Sequence, residues 1–411
     1  MSDMPTVDEG QTRRFLQKRE AILDAAARLF NRRGIRGTTL ADVAQSVGLV
    51  TNSVTYYFRK KDDLALACVL RSVEVFDALL TEAERAKTPE LRITAFVTGF
   101  FRLLADVEAG VRPQFINFSE VNTLSVTRTD VATVYAQMFR RVRGLIGTDS
   151  RLGLSRSERN ARAHLLFTLT QWTRVWITRY EATGYARAAR HASDILLYGL
   201  GSAGAIWKPP GLPVLASPQA ADDVSPDAFL RVATRMINEE GFRGASVERI
   251  SAALKVTKGS FYHHNDNKDD LIIDCFARSF DVIRRTQSAA DECGNGWQRL
   301  SAAAAALVRY QLSADGPLLR ITARSGLPEA AAEQTLRTVN RLSEHFASVV
   351  VDGVMDGSVR PIDPAIAAQM VSGMINASAS IKRWVPEATI GNVADLYARP
   401  LFMGILCTSS A

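Results

Sequence analysis

The chain has 411 residues, 50 Lys and Arg against 43 Asp and Glu, a net charge of +7 and 47% hydrophobic content, which implies about two to four globular domains and excludes disordered, collagen-like and coiled-coil chains. Four scattered cysteines, Cys68, Cys275, Cys293 and Cys407, form no C-x-x-C pair, so neither a disulfide framework nor a zinc ribbon is expected and a reducing compartment fits. A polar, acidic start and no apolar run of about 18 residues predict a soluble, cytoplasmic protein without a membrane partner.

Ala21, Ile22, Ala25, Ala26, Leu29 and Phe30 recur at helical spacing, and Gly34 and Gly37 stop that helix. Thr38 or Thr39 caps a short helix over Leu40–Ser46 with Val43, Ala44 and Val47 on its inner face. After Gly48 and Leu49, a second short helix runs from about Thr51 to Tyr57 with Val54 facing in. A small Ala44 where two helices cross, and a Gly48 free to take a positive φ, suit a helix-turn-helix, although any short helical hairpin shares the pattern. Arg156–Glu181 and Ala188–Ser202 read as helices. Between 208 and 224 lie Pro209, Pro210, Pro213 and Pro218, an extended linker able to span up to about 55 Å at about 3.3 Å per residue. Beyond it, Pro364–Arg383 and Ile390–Leu406 again read as helical.

The chain repeats itself. Glu20–Ser72 aligns with Asp227–Ser279 without a gap at a constant offset of 207, and 16 of 53 positions are identical, among them Asn31/Asn238, Gly34/Gly241, Gly37/Gly244, Lys61/Lys268, Cys68/Cys275 and Arg71/Arg278. A register held through two glycines marks a tandem duplication.

The strings GLVTNSVTYYFRKKDDL and KVTKGSFYHHNDNKDDL, each some dozen residues after G-[IF]-R-G-[TA]-[TS], resemble the DNA-binding domain of TetR-family transcriptional repressors over about 50 residues per half. The resemblance implies an all-α fold in which each half is a three-helix helix-turn-helix domain followed by a helical effector-binding and dimerisation domain. The expected bounds are 14–62 and 63–207 for the first half, 208–224 for the linker, and 225–269 and 270–411 for the second. Dimeric helix-turn-helix proteins need half-sites about 34–36 Å apart, more than one domain supplies. With both copies on one chain, the expectation is an intrachain pseudo-dimer with Arg156–Ser202 packed against Pro364–Leu406; further self-association stays open, as does a reading as two unrelated domains on a string. The partner implied is a double-stranded DNA operator, asymmetric or imperfectly palindromic because the two reading helices differ. With it comes a ligand-responsive repressor function.

Site roles follow from the same resemblance. Thr39 and Ser246 would offer a hydroxyl and a helix N-terminus to phosphate; Thr51, Asn52, Ser53 and Thr55, and in the second copy Lys258, Ser260, Tyr262 and His263, would face base edges. Lys258 is suited to guanine and Asn52 to adenine. Tyr56, Tyr57 and His264 would touch the backbone, and Lys61 and Lys268 would anchor on phosphate.

The heads are unequal. Thr12–Asp63 has eleven basic residues against five acidic, net +6, whereas Gln219–Asp270 has seven against nine, net −2. Phosphate neutralisation dominates nonspecific affinity, so the first head is expected to lead, helped by a basic arm of Arg13, Arg14, Lys18 and Arg19. The second head also carries Lys255 in place of the turn glycine and Ser251 in place of the small alanine.

Leu91–Tyr185 holds twelve aromatic residues and the matching window Gln298–Asn392 only three. Effector pockets are mostly apolar and aromatic, so an apolar or aromatic small molecule is expected in the first half, near Phe100, Phe115, Phe118, Tyr135, Phe139, Gln171, Trp172, Val175 and Trp176. Leu165, Leu169, Trp172 and Trp176 share a helical stripe that alternatively forms the internal interface. No Gly-rich phosphate loop, G-x-S-x-G or H-E-x-x-H occurs, so no enzyme, catalytic residue or cofactor is expected. Adjacent His263 and His264 point about 100° apart on a helix, against a metal site. The rival reading is a ligand-sensing or protein-interaction module in which one or both heads no longer bind DNA.

Overall fold

The computed structural model describes residues 9–118, 129–147, 153–212, 226–241, 246–254 and 268–408, and among them there is no strand beyond one isolated bridge, Gly201 with Val359. The first half comprises α1 (Glu9–Gly37), α2 (Leu40–Ser46), α3 (Thr51–Tyr57), α4 (Lys61–Glu84), α5 (Pro89–Glu108), α6 (Thr129–Leu145), α7 (Arg156–Trp176) and α8 (Tyr185–Tyr198). The second comprises α9 (Pro226–Glu240), α10 (Val247–Ala253), α11 (Lys268–Asp291), α12 (Gly296–Leu312), α13 (Glu329–Met355), α14 (Pro364–Ser378), a π-helical turn at Ala394–Ala398, and α15 (Arg399–Met403). No helix of the described residues is long and apolar enough to cross a membrane.

The duplication runs further in structure than in sequence. α4 and α11 keep the offset of 207 at both ends, and α5 and α12 begin at matched positions. Local signals set these starts: Thr88 caps α5 ahead of Pro89, Asn295 and Gln298 form a capping box on α12, Ser155 and Glu158 form one on α7, and Asp363 caps α14 ahead of Pro364. Even internal latches repeat. Ser72 Oγ accepts from Ile116 N and Ser279 Oγ from Leu319 N, each at 2.8 Å. The thiols of Cys68 and Cys275 donate to the carbonyls of Leu23 and Leu230.

The halves join along α7 and α14, with α8 against α14 and α15. A Cβ on Gly373 would lie 2.6 Å from Trp172 Cγ and 3.0 Å from Leu169 Cδ2, so only glycine lets the helices approach this closely. Each large apolar side chain buried in this seam contributes about 1.5–3 kcal/mol. Trp176 leaves the seam and packs on Phe101 and Tyr180 of its own half. Polar bonds fix the register: Trp172 Nε1 donates to Gln369 Oε1 at 3.3 Å, and buried His164 lies between Tyr397 Oη at 2.8 Å and Ser380 Oγ at 3.3 Å. Burial pushes the His164 pKa down to about 3, so the ring is a neutral structural bridge.

The two ends of the seam interlock reciprocally, as an isologous contact requires. Leu200 N donates to Phe402 O at 2.8 Å and Ile405 N to Leu196 O at 2.7 Å. Gly199 and Gly404 sit at φ 72° and 98°, each against the other segment's backbone. From there the chain crosses the second half, where Trp207 Nε1 donates to Asp395 at 2.8 Å. The rest of the expected linker, 213–224, lies outside the described residues.

Candidate nucleic-acid interface and effector cavity

The first head is built around Ile22, Ala26 and Phe30 of α1, which meet Val43, Ala44, Val54, Phe58 and Leu64, all buried. Gly48 takes φ 67° with open space around it, and Leu49 N donates to Ala44 O at 2.9 Å, closing the turn between α2 and α3. Seated this way, α3 turns Thr51, Asn52 and Tyr56 to solvent and leaves Ser53, Thr55, Tyr57 and Lys61 half-buried. The hydroxyl of Thr55 donates to Asn52 O at 2.9 Å.

Two features add to the sequence reading. Thr39 is engaged in a capping box: its hydroxyl accepts from Asp42 N at 3.1 Å and donates to Asp42 Oδ2 at 2.6 Å. Those bonds hold the Asp42 carboxyl below its usual pKa, and a phosphate contact from that hydroxyl must compete with them. The basic arm is a continuation of α1, anchored because Phe15 packs at a tilt on Tyr57 at 4.7 Å and meets Tyr56 at 6.1 Å. Arg13, Arg14 and Lys18 are thereby held exposed beside α3, whereas Arg19 lies over the Phe58 ring at 5.5 Å. The basic residues flanking Phe15 over 13–19 carry part of this signal, but Phe15 alone gives no hint of its partner.

In the second head, Ser246 caps α10, accepting from Arg249 N at 3.3 Å, and the Arg249 guanidinium pairs with Glu240. Lys258, Ser260, Tyr262, His263 and His264 lie outside the described residues, as does Lys255; Lys268 is placed only as the first residue of α11. Among the described residues no cluster of His, Cys, Asp and Glu suits a metal.

A cavity of about 150 Å³ lies between the halves. Of the expected pocket residues, Phe118, Tyr135, Phe139, Gln171, Trp172 and Val175 line it. Phe100, Phe115 and Trp176 do not: Phe100 and Phe115 pack on Phe76 in the first half's core, at 5.5 and 6.1 Å. The cavity is not confined to the first half, since Ile321, Gly373, Asn376 and Trp384 of the second half form the facing wall, with Trp384 stacked on Phe139 at 3.9 Å. Counting aromatic residues misses that wall because much of it is glycine, alanine and arginine. Asn31 and Arg32 bring α1 of the first head to its edge.

A family model described as bacterial regulatory proteins, tetR family, matches residues 22–68 and 229–275, and one described as tetracyclin repressor-like, C-terminal domain, matches 293–386. The Transposon Tn10 TetC protein of Escherichia coli is 36% identical over 62 residues, 15% of this chain and 32% of that one. The HTH-type transcriptional repressor DhaR of Mycobacterium sp. (strain GP1) is 28% identical over 131 residues, 31% of this chain and 66% of its own. The chain thus spans less than two thirds of each of these relatives' lengths. The crystal structure of AibR in complex with isovaleryl coenzyme A and operator DNA aligns at 23% identity and a TM-score of 0.37, over 43% of this chain and 97% of that one.

Proposed function

We propose, from the premise that the chain belongs to the TetR family as two fused repeats, that it is a ligand-responsive repressor whose single chain grips an operator with two unlike heads. The observation that supports this is the α7–α14 seam, which joins the two halves within one chain, as a pair of heads on two half-sites would need. Binding of the second half-site is then intramolecular and gains from high effective concentration. In this reading Arg13, Arg14, Lys18, Arg19, Tyr56, Tyr57 and Lys61 hold the DNA backbone, while Thr51, Asn52, Ser53 and Thr55 read bases. In the second head, Lys258, Ser260, Tyr262 and His263 read an unlike half-site, and Ser246, His264 and Lys268 contact its backbone. The apolar or aromatic effector occupies the shared cavity and lowers operator affinity about 5- to 150-fold.

The net −2 of the second head favours a second reading, in which only the first head binds DNA and the second half serves as sensor and brace. Selection of binding fragments from genomic DNA followed by footprinting separates the two. Two unlike protected half-sites about one helical turn apart support the two-headed reading; a single protected half-site supports the other.

A further inference from the structure

The shared cavity has a charge character that its aromatic walls conceal. Its lining includes Arg32, Arg320, Arg324 and Arg383 and, among the described residues, no carboxylate. Arg32 reaches outward to Glu329 at 3.4 Å, an exposed pair. Arg324 is different: it is half-buried, makes no ion pair among the described residues, and burial alone depresses its pKa. A desolvated cation in a site without an acid is unfavourable until an anion joins it. Gln171, on the facing wall, has both its amide oxygen and its amide nitrogen buried without a hydrogen-bond partner. Polar groups left this way are relieved by a ligand or water that supplies partners.

Size narrows the class. At about 10–15 Å³ per water by this measure, 150 Å³ accepts on the order of ten non-hydrogen atoms. Walls formed by Phe139 stacked on Trp384, with Tyr135 and Trp172 beside them, suit one aromatic ring. A ring bearing a short carboxylate arm fills that volume and supplies the missing anion.

The rims of the cavity are tied to the two heads by equivalent residues. Asn31 of α1 donates through Nδ2 to Phe115 O at 2.9 Å and accepts from Asn117 N at 2.8 Å. Asn238 of α9, at the repeat offset, donates to Leu318 O at 2.8 Å and accepts from Arg320 N at 3.0 Å. Asn117 and Arg320 both line the cavity. One ligand therefore touches two loops, each clamped by an asparagine to a different head.

We infer that the cavity binds one arylcarboxylate of about ten non-hydrogen atoms per chain, its carboxylate on Arg324 and its ring between the halves, and that the paired Asn31 and Asn238 clamps carry its binding to both heads. This rests on the ligand-responsive reading only for the effect on DNA; the ligand class stands on the cavity alone.

The test uses the full chain and matched probes: benzoate, phenylacetate and 3-phenylpropionate, each beside its neutral amide. Calorimetry without DNA is expected to show one site per chain for at least one acid, with the amide about 10- to 100-fold weaker. Arg324→Gln is expected to erase that difference, and the acid–amide comparison on the unaltered chain stands even if this variant does not fold. Equal affinity of acid and amide, two sites per chain, or no binding by any of the three acids overturns the ligand class. With operator DNA, Asn238→Ala, which lies outside the cavity lining, is expected to keep acid binding while reducing the acid's effect on DNA affinity. Full coupling in this variant, or bound acid without effect on DNA affinity in the unaltered chain, overturns the clamps. Failure of the chain to bind DNA at all removes the regulator reading and leaves the acid–amide result intact.

Discussion

Gly199→Ala is expected to destabilise the fused pair of halves far more than the same change five residues on. Gly199 has φ 72° and ψ −162°, a region that residues with a side chain hardly enter, at about 1–3 kcal/mol. An added Cβ would lie 2.7 Å from Gly404 N and closer still to the carbonyl oxygen of Phe402. Both neighbours are backbone, so no side chain can swing aside, and forced overpacking adds about 1–3 kcal/mol. The sum is about 2–6 kcal/mol. Gly204 isolates the conformational part: its φ is 82°, but nothing lies within 4 Å of its added Cβ, so Gly204→Ala costs about 1–2 kcal/mol. Urea unfolding followed by circular dichroism measures both. Equal costs would refute the close reciprocal approach of the two half-ends.

Removing the exposed pair in Arg13→Ala/Arg14→Ala is expected to lower the log–log salt slope of operator binding by about two, at about 0.9 per phosphate contact; an unchanged slope would remove the helical extension from the interface. His164 gives a pH signature. Unfolded chain takes up a proton at this ring near 6.5 and folded chain only near about 3, so stability falls as pH drops through that window. His164→Gln is expected to flatten that limb of the stability profile measured by thermal melts, and a profile unchanged by the substitution would show that the ring is solvated. Thr39→Ala, which breaks the α2 capping box, is expected to cost about 1 kcal/mol in chemical unfolding; no loss would mean that Asp42 caps the helix unaided.

Much of this architecture is legible in the sequence because its determinants are local. Gly34, Ala44, Gly48 and Val54 specify the turn and seat of the first head, and the gapless register exposes the duplication. The seam was foreseeable as a pairing of helices but not in its contacts: Trp172 and Trp176 lie on one helical stripe, yet only Trp172 finds a glycine opposite it, and that glycine is 201 residues away in sequence. The cavity was half visible. Aromatic enrichment points to Phe118, Tyr135 and Phe139, but Arg324 and Asn376 become neighbours of those rings only through tertiary closure. Likewise Asn31 and Asn238 stand out as an identical pair, while their shared task, pinning a loop of each half, depends on carbonyls some 80 residues on.

Native mass spectrometry of the chain with an operator carrying both half-sites tests the central claim most directly. A complex of one 45.0 kDa chain per duplex is expected, persisting when protein is in excess. A duplex that forms a complex only with two chains would contradict it.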